Sequence, residues 1–262
     1  MPELPDLTIF AGNLKKRLGG RTVTGVAVHN FSKVNAAQQA FEAGMVGSQI
    51  SDVAREGKEL AFTFSSGAVM NIHMMLAGKL TLVLPGKVES VRSKLFSFTI
   101  DDAAVLVLSD QMGMAKATLN PPPPKSPDAL SPEFTFEYFQ KLVKRSPMFN
   151  IKELITMPNK VRGIGNAYAD EILWKANISP MNFAGKIPED ALKRLYEAIS
   201  EVLLHAIEQI KRISPDIISG EERSFLSVHN PKKEFADDGE KILVTEQNKR
   251  KTYYTAKQVV YP

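Results

Sequence analysis

The 262-residue sequence predicts an α+β fold in two domains: an antiparallel β-sandwich with an N-terminal helix, then a helical domain ending in a β-hairpin. Three observations predict it. Short β-rich runs separated by turn residues fill the stretch from Arg21 to about Asp110. Four consecutive prolines, Pro121 to Pro124, then interrupt the chain. Apolar residues at helical spacing follow, and strand-like runs return near Phe225. The expected divisions are 1–119 for the β domain, 120–133 for a Pro-rich linker, 134–224 for the helical domain and 225–262 for the hairpin.

Each element has its own signal. Pro5 to Leu18 reads as a helix with Pro in its first turn, Leu7, Phe10, Leu14 and Leu18 on one face, and Gly19-Gly20 as its stop. Thr22 to Val28 is β-rich, and Gly25 within it marks a bulge. Further strands are expected at Leu60–Phe64, Ala68–Ile72, Leu80–Leu84, Phe96–Ile100 and Val105–Leu108. A run of four prolines favours extended polyproline geometry and continues neither a helix nor a central strand. Beyond it, helices are expected at Phe134–Lys144, Ile151–Met157, Ala167–Ala176 and Pro188–Ile213. The last of these buries Leu192, Leu195, Ile199, Val202, Leu203, Ala206 and Ile210. Ile242–Thr245 and Lys251–Tyr254 flank a turn and form a hairpin with Lys249, Arg250 and Lys251 near its tip.

Composition removes several classes of function. Hydrophobic residues at 44% and charged residues at 24% suit a soluble globular protein. No apolar run approaches the roughly 18 residues of a membrane-spanning helix, and no signal-peptide core opens the chain, so the cytosol is the expected location. With no cysteine and four unclustered histidines, neither a disulfide nor a thiolate metal site can form, and no metal is expected. The net charge of +4 permits a polyanionic partner without requiring one.

Two segments carry chemistry. The chain begins Met1-Pro2-Glu3-Leu4-Pro5, and a Met before a small residue is readily removed. That leaves a secondary amine on Pro2 beside the carboxyl of Glu3. An α-amine with a pKa of about 7.7–8.0 is partly uncharged near neutrality and attacks carbonyl-like carbon, while a neighbouring carboxyl moves the proton. A frayed, Pro-rich terminus is the alternative reading of these residues. The second segment is Gly163-Ile164-Gly165-Asn166-Ala167-Tyr168-Ala169-Asp170-Glu171. A Gly-x-Gly turn before a helix presents backbone N–H groups to a phosphate, with Asn166 at the expected cap. A plain interhelical turn capped by Asn166 is the other reading.

Together, the Pro-Glu-Leu-Pro start and the Gly163–Glu171 segment resemble the formamidopyrimidine-DNA glycosylase / endonuclease VIII family. In that family the second segment is the turn of a helix–two-turn–helix DNA-binding element. Arg55-Glu56-Gly57-Lys58 resembles the family's basic-x-Gly-Lys motif, and Lys152, eleven residues before Gly163, falls where the family has a Lys. Arg250-Lys251-Thr252-Tyr253-Tyr254 resembles the Arg-x-Thr-x-Tyr of its C-terminal finger. The matches run from one terminus to the other in order. The resemblance implies a bifunctional DNA glycosylase/AP lyase of base excision repair, monomeric and cytoplasmic in a bacterial cell, acting on damaged double-stranded DNA. It implies Pro2, Glu3, Lys58 and Arg250 as catalytic residues, and Lys58, Lys152, Gly165, Asn166 and Arg250 as DNA contacts. Pro2 would release the base through a Schiff base, and β- then δ-elimination would cut the strand.

The sequence departs from the family in the finger and in the residues that read the lesion's partner. Four zinc-binding Cys are usual in the finger, but here the places fall near Ala236, Gly239, Thr255 and Gln258. A zincless finger, with no cofactor, is implied, held by packing of Phe235, Ile242, Val244, Tyr253 and Val259. Leu76, Met112 and Met114 stand where the family places a Met, an Arg and a Phe that fill the gap left by a flipped base. Leu and Met can wedge a base stack, but Met112 cannot donate the paired hydrogen bonds of an Arg, so weak opposite-base discrimination is expected. Core packing is the competing reading for Met112 and Met114. With a short Ser214–Glu222 segment, the balance moves from 8-oxoguanine towards oxidised pyrimidines, ring-opened purines and abasic sites. The alternative function is a DNA-binding protein that recognises damaged or abasic DNA on the same scaffold without excising.

Overall fold

Leu7, Phe10, Leu14 and Leu18 fall on one face of α1 (Leu4–Leu18), and all four are fully buried. The computed structural model describes residues 1–262 and divides them into two units. One is Met1–Pro123 with Ile210–Glu221; the other is Pro124–Gln209 with Glu222–Pro262.

In the first unit α1 is followed by β1 (Val23–Val28), α2 (Gln38–Met45), β2 (Ile50–Glu56), β3 (Glu59–Phe64), β4 (Val69–His73), β5 (Lys79–Val83), β6 (Lys94–Ile100), β7 (Ala104–Ser109) and β8 (Lys116–Leu119). The strands form two antiparallel four-stranded sheets, in the orders β1-β6-β7-β5 and β2-β3-β4-β8. The expected bulge is present: the β1–β6 register shifts between Val23 and Gly25. Period-2 alternation turns Phe62 and Phe64 of one sheet and Phe96 and Phe98 of the other inward, and all four are buried. Phe62 meets Phe98 edge-on at 5.7 Å and Phe41 of α2 meets Phe96 at 4.9 Å, so the aromatic rings are the layer that joins the sheets. The sandwich and its N-terminal helix are as the sequence predicts. The helix α2 and the strands β2 and β8 were not foreseen.

In the second unit, Thr135 caps α3 (Phe136–Arg145) and Asn150 caps α4 (Ile151–Thr156), each side chain accepting a backbone N–H from the first turn. α5 (Asn166–Lys175) follows the Gly-x-Gly turn, in which Gly163 takes φ +101°. α6 (Glu189–Ile213) has Leu192, Leu195, Ile199, Leu203, Ala206 and Ile210 buried, as its spacing predicts, whereas Val202, expected among them, is only half-buried. No helix is long and apolar enough to cross a membrane.

The chain closes with β9 (Ile242–Gln247) and β10 (Arg250–Thr255) in register from Gln247↔Arg250 to Ile242↔Thr255. Asn248 and Lys249 make the two-residue turn at φ +49° and +61°. Positive φ at both central positions is the turn geometry whose twist matches that of the strands. Packing holds this hairpin only partly as expected. Ile242 and Tyr253 are buried with Val228 and Ala236, against Trp174. Phe235 (53% exposed), Val244 (55%) and Val259 (38%) face solvent and do not form the hairpin's core. Only one face of a two-stranded ribbon is covered here, and it is covered at a few positions.

The turn generates a prediction. Lys249 in the left-handed region carries a steric cost of about 1 kcal/mol that glycine avoids. Lys249→Gly should therefore slow amide hydrogen exchange across β9 and β10, while unchanged exchange would show the turn to be unstrained.

Candidate active site

Glu3 is the N-cap of α1 in extended geometry, and it and Asp6 form a reciprocal capping box. Asp6, fully buried, accepts the Glu3 N–H at 2.8 Å. Pro2 and Glu3 are buried as well, so the start of the chain is held and not frayed. The Met1 ammonium pairs with Glu221. Thr8, one turn on, receives the Arg55 Nε–H at 2.9 Å, and Arg55 Nη1 donates to Gly57 O at 3.3 Å. Arg55 thus links α1 to the β2–β3 turn, where Gly57 at φ +62° precedes Lys58.

Sheet register gathers more residues at this end. Glu59 pairs with His73, and His73 pairs with Lys116. Burial first, then Lys58 and Lys116, hold the His73 imidazole below its ordinary range against the pull of Glu59. The ring Nδ1 accepts the Met75 N–H at 3.0 Å and is therefore the unprotonated nitrogen. Lys79 pairs with Ser109, so the loops before β5 and after β7 leave the sheet together. The first carries Leu76 (54% exposed) and the second Met112 (59% exposed), while Met114 is half-buried. Core packing is therefore not the role of Met112.

The Met112 loop is built on one carboxylate. Asp110, itself buried, accepts N–H groups from Met112, Met114 and Ala115 at 2.8, 2.7 and 2.8 Å. Burial works to raise the Asp110 carboxyl, but these donors, with Gly113, outweigh it and hold it below the ordinary range.

In the second unit, Lys152, Asn166 and Arg250 line one recess of about 260 Å³, together with Asn150, Gln247 and Asn248. Arg250 is exposed at the start of β10, next to Lys249 and Lys251. Gly165, in extended geometry, is the N-cap of α5, so Asn166 is the first helical residue and does not cap it. The Asn166 side chain instead donates to Lys251 O at 3.0 Å, joining the helix to the hairpin. Lys152 is buried at the wall of this recess, its ammonium 2.7 Å from Asp170 and donating to Thr252 Oγ1 at 2.6 Å.

The sequence motifs contain Asp170 and Gln258 but give neither a role, and His229 lies outside them. Gln258, near one of the places where the family has Cys, accepts the Thr255 N–H and donates to Ile178 O, both at 2.8 Å. No group of three or more metal-ligating side chains is present. Long-range hydrogen-bond partners leave no periodic trace in a sequence, so the contacts of these three residues carry no signal there.

Comparison with known proteins places both units. The model of the formamidopyrimidine-DNA glycosylase N-terminal domain matches residues 1–117, and that of the formamidopyrimidine-DNA glycosylase H2TH domain matches residues 126–216. A formamidopyrimidine-DNA glycosylase of Carboxydothermus hydrogenoformans is 32% identical over 212 residues, covering 79% of this chain and 78% of the relative. One from Pelotomaculum thermopropionicum is 27% identical over 97% of both chains. Among solved structures, the complex of Lactococcus lactis Fpg with abasic-site DNA has the same fold, with a TM-score of 0.85 at 20% identity over 97% of this chain and 98% of that one.

Asp110 generates the prediction here. Its depressed folded value means that its stabilisation is complete above the unfolded carboxyl pKa of about 3.9 and is lost as pH falls through the lower folded value. Asp110→Asn should cost about 1–3 kcal/mol at pH 7. It should also flatten the loss of stability below about pH 4. Urea denaturation at a series of pH values reads both, and parallel parent and variant profiles would refute the assignment.

Proposed function

The chain belongs to the formamidopyrimidine-DNA glycosylase / endonuclease VIII family, DNA glycosylases of base excision repair with AP lyase activity, and we propose that its chemistry runs through Pro2, Glu3, Lys58 and Arg250. The observation that carries this is the start of α1. Pro2 and Glu3 are buried there, Asp6 fixes Glu3, and Arg55 ties that helix to the turn holding Lys58.

Removal of Met1 frees the Pro2 nitrogen, which is otherwise an amide with no basic lone pair. The amine attacks C1′ of the damaged nucleotide and the base departs. Glu3 delivers a proton to the ring oxygen as the sugar opens, leaving an iminium between Pro2 and C1′. The iminium makes the 2′ hydrogen acidic, so loss of that proton expels one phosphate ester, and a second elimination expels the other. Lys58 binds phosphate and assists the first elimination; Arg250 does so for the second. Asn166 and the Gly165 backbone hold the strand near the flipped nucleotide.

Leu76, Met112 and Met114 fill the gap in the stack by apolar contact, without reading the opposite base. The substrate class is oxidised pyrimidines, ring-opened purines and abasic sites in double-stranded DNA. The protein acts as a cytoplasmic monomer, and its finger works without zinc.

Borohydride trapping on a duplex with an abasic site tests the mechanism. Protein shown by mass spectrometry to begin at Pro2 should form a covalent adduct, and protein retaining Met1 should not. No adduct from the Pro2 form would leave a non-excising binder of damaged DNA as the correct reading. A second test concerns the finger. EDTA should change neither the melting temperature nor the affinity for that duplex, whereas a structural zinc site would lose both.

A further inference from the structure

We infer that Asp170 is a positioning residue for Arg250: its buried carboxylate fixes β10 against α4 and α5, and so sets where the guanidinium stands in the recess. This rests on the reading of Arg250 as a phosphate ligand.

Two-stranded hairpins are marginal in water, so the placement of β10 has to come from outside the hairpin. A two-residue turn makes Gln247 and Arg250 the hydrogen-bonded closing pair. Backbone groups of alternate residues then point away from β9, and these include Lys251 C=O and Tyr253 N–H. Both are taken by side chains of α5. Asn166 donates to Lys251 O at 3.0 Å, and Asp170 Oδ2 accepts the Tyr253 N–H at 3.0 Å. Asn166 and Asp170 are four residues apart and share one helix face, which turns that face into a two-point seat for the open edge of the strand.

Asp170 also gathers the surrounding elements. Its Oδ1 lies 2.7 Å from Lys152 Nζ on α4, and Lys152 donates to Thr252 Oγ1 in the same strand at 2.6 Å. Its Oδ2 is 2.7 Å from His229 Nδ1, and the His229 ring meets the Tyr253 ring at 4.7 Å. The neighbouring Glu171 accepts the N–H groups of Ser227, Val228 and His229 at 2.9, 2.8 and 2.7 Å, which holds that turn in place. Asp170 and Thr252 are fully buried and Lys152 nearly so. A charge pair at that depth is stable only when each partner keeps its other hydrogen bonds, so the geometry is set tightly. Arg250 leaves the strand three residues before Tyr253.

The test uses the full chain, a duplex with a tetrahydrofuran abasic analogue, and the slope of log affinity against log salt. Arg250→Ala should lower the slope by about one unit. Asp170→Asn should lower it by the same amount, speed exchange of the Tyr253 amide, and add nothing further in combination with Arg250→Ala. Where Asp170→Asn does not fold, the Asp170→Asn/Lys152→Met double variant, which leaves neither of those two charges buried, replaces it. A residue needed only for folding would lower the melting temperature and leave the slope alone. A parent slope in folded Asp170→Asn, or additive losses, would overturn the inference. A parent slope in Arg250→Ala itself would instead remove the phosphate reading of Arg250, and the inference with it.

Discussion

A nitrogen in the main chain can serve as an amine nucleophile only at a chain end, and chain ends are the least ordered parts of most proteins. With Pro2 as the proposed nucleophile, the first unit has to meet that conflict. Four large apolar side chains bury one face of α1, and this fixes the axis and rotation of the helix. The capping box then extends order to Glu3, ahead of the helix, because the Asp6 carboxylate accepts the Glu3 N–H and the Glu3 carboxylate accepts the Asp6 N–H, two groups that would otherwise need water. Arg55 completes the constraint from the sheet side through Thr8 and Gly57. Order at the terminus is thus borrowed from the sandwich core, with Asp6, Thr8 and Arg55 as the links.

The second unit meets a related problem with charge. Lys249, Arg250 and Lys251 crowd the tip of a ribbon too thin to have its own core. Packing of Ile242 and Tyr253 covers only part of it. Gln258 and Asn166 add fixed hydrogen bonds at its base and along its edge. Hydrogen bonds of this kind are directional, whereas apolar contact mainly sets distance. For the phosphate contact proposed for Arg250, direction matters more than depth of burial.

Much of this was legible in the sequence, and the misses share a cause. Central strands such as Phe96–Ile100 and the helices α1 and α6 show clear periodicity because one side of each is buried along its whole length. The strands β2 and β8 were missed; both are outer strands of their sheet, one is rich in polar residues and the other has four residues. The helix α2 buries only Phe41 and Met45, too few positions to show a period. Pro2, Glu3, Lys58, Asn166 and Arg250 were marked by local motifs. Lys152 was marked too, but a motif gives a position and not what surrounds it, and its burial depends on Asp170 and Thr252, far away in sequence. Phe235, Val244 and Val259 are candidates for the packing that a zincless finger implies, but no element covers them enough to bury them.

Leu76 and Met112 bring these themes together. Each is a large apolar side chain more than half exposed, on a loop whose backbone is nonetheless pinned. Gly78 donates to Met74 O at 2.8 Å, and a Cβ at position 78 would come within 2.2 Å of that oxygen, so the Leu76 loop is tight by construction. Asp110 does the same for Met112 through a fan of N–H groups. Order in the backbone with apolar exposure at the tip costs free energy in the unbound protein, and it is recovered when the tip enters an apolar space of suitable shape. In the proposed function, that space is a stack of bases that has lost one member. A thioether on three rotatable bonds fits many shapes and carries no strong donor, so a wedge of this kind favours the gap over the identity of the base across from it.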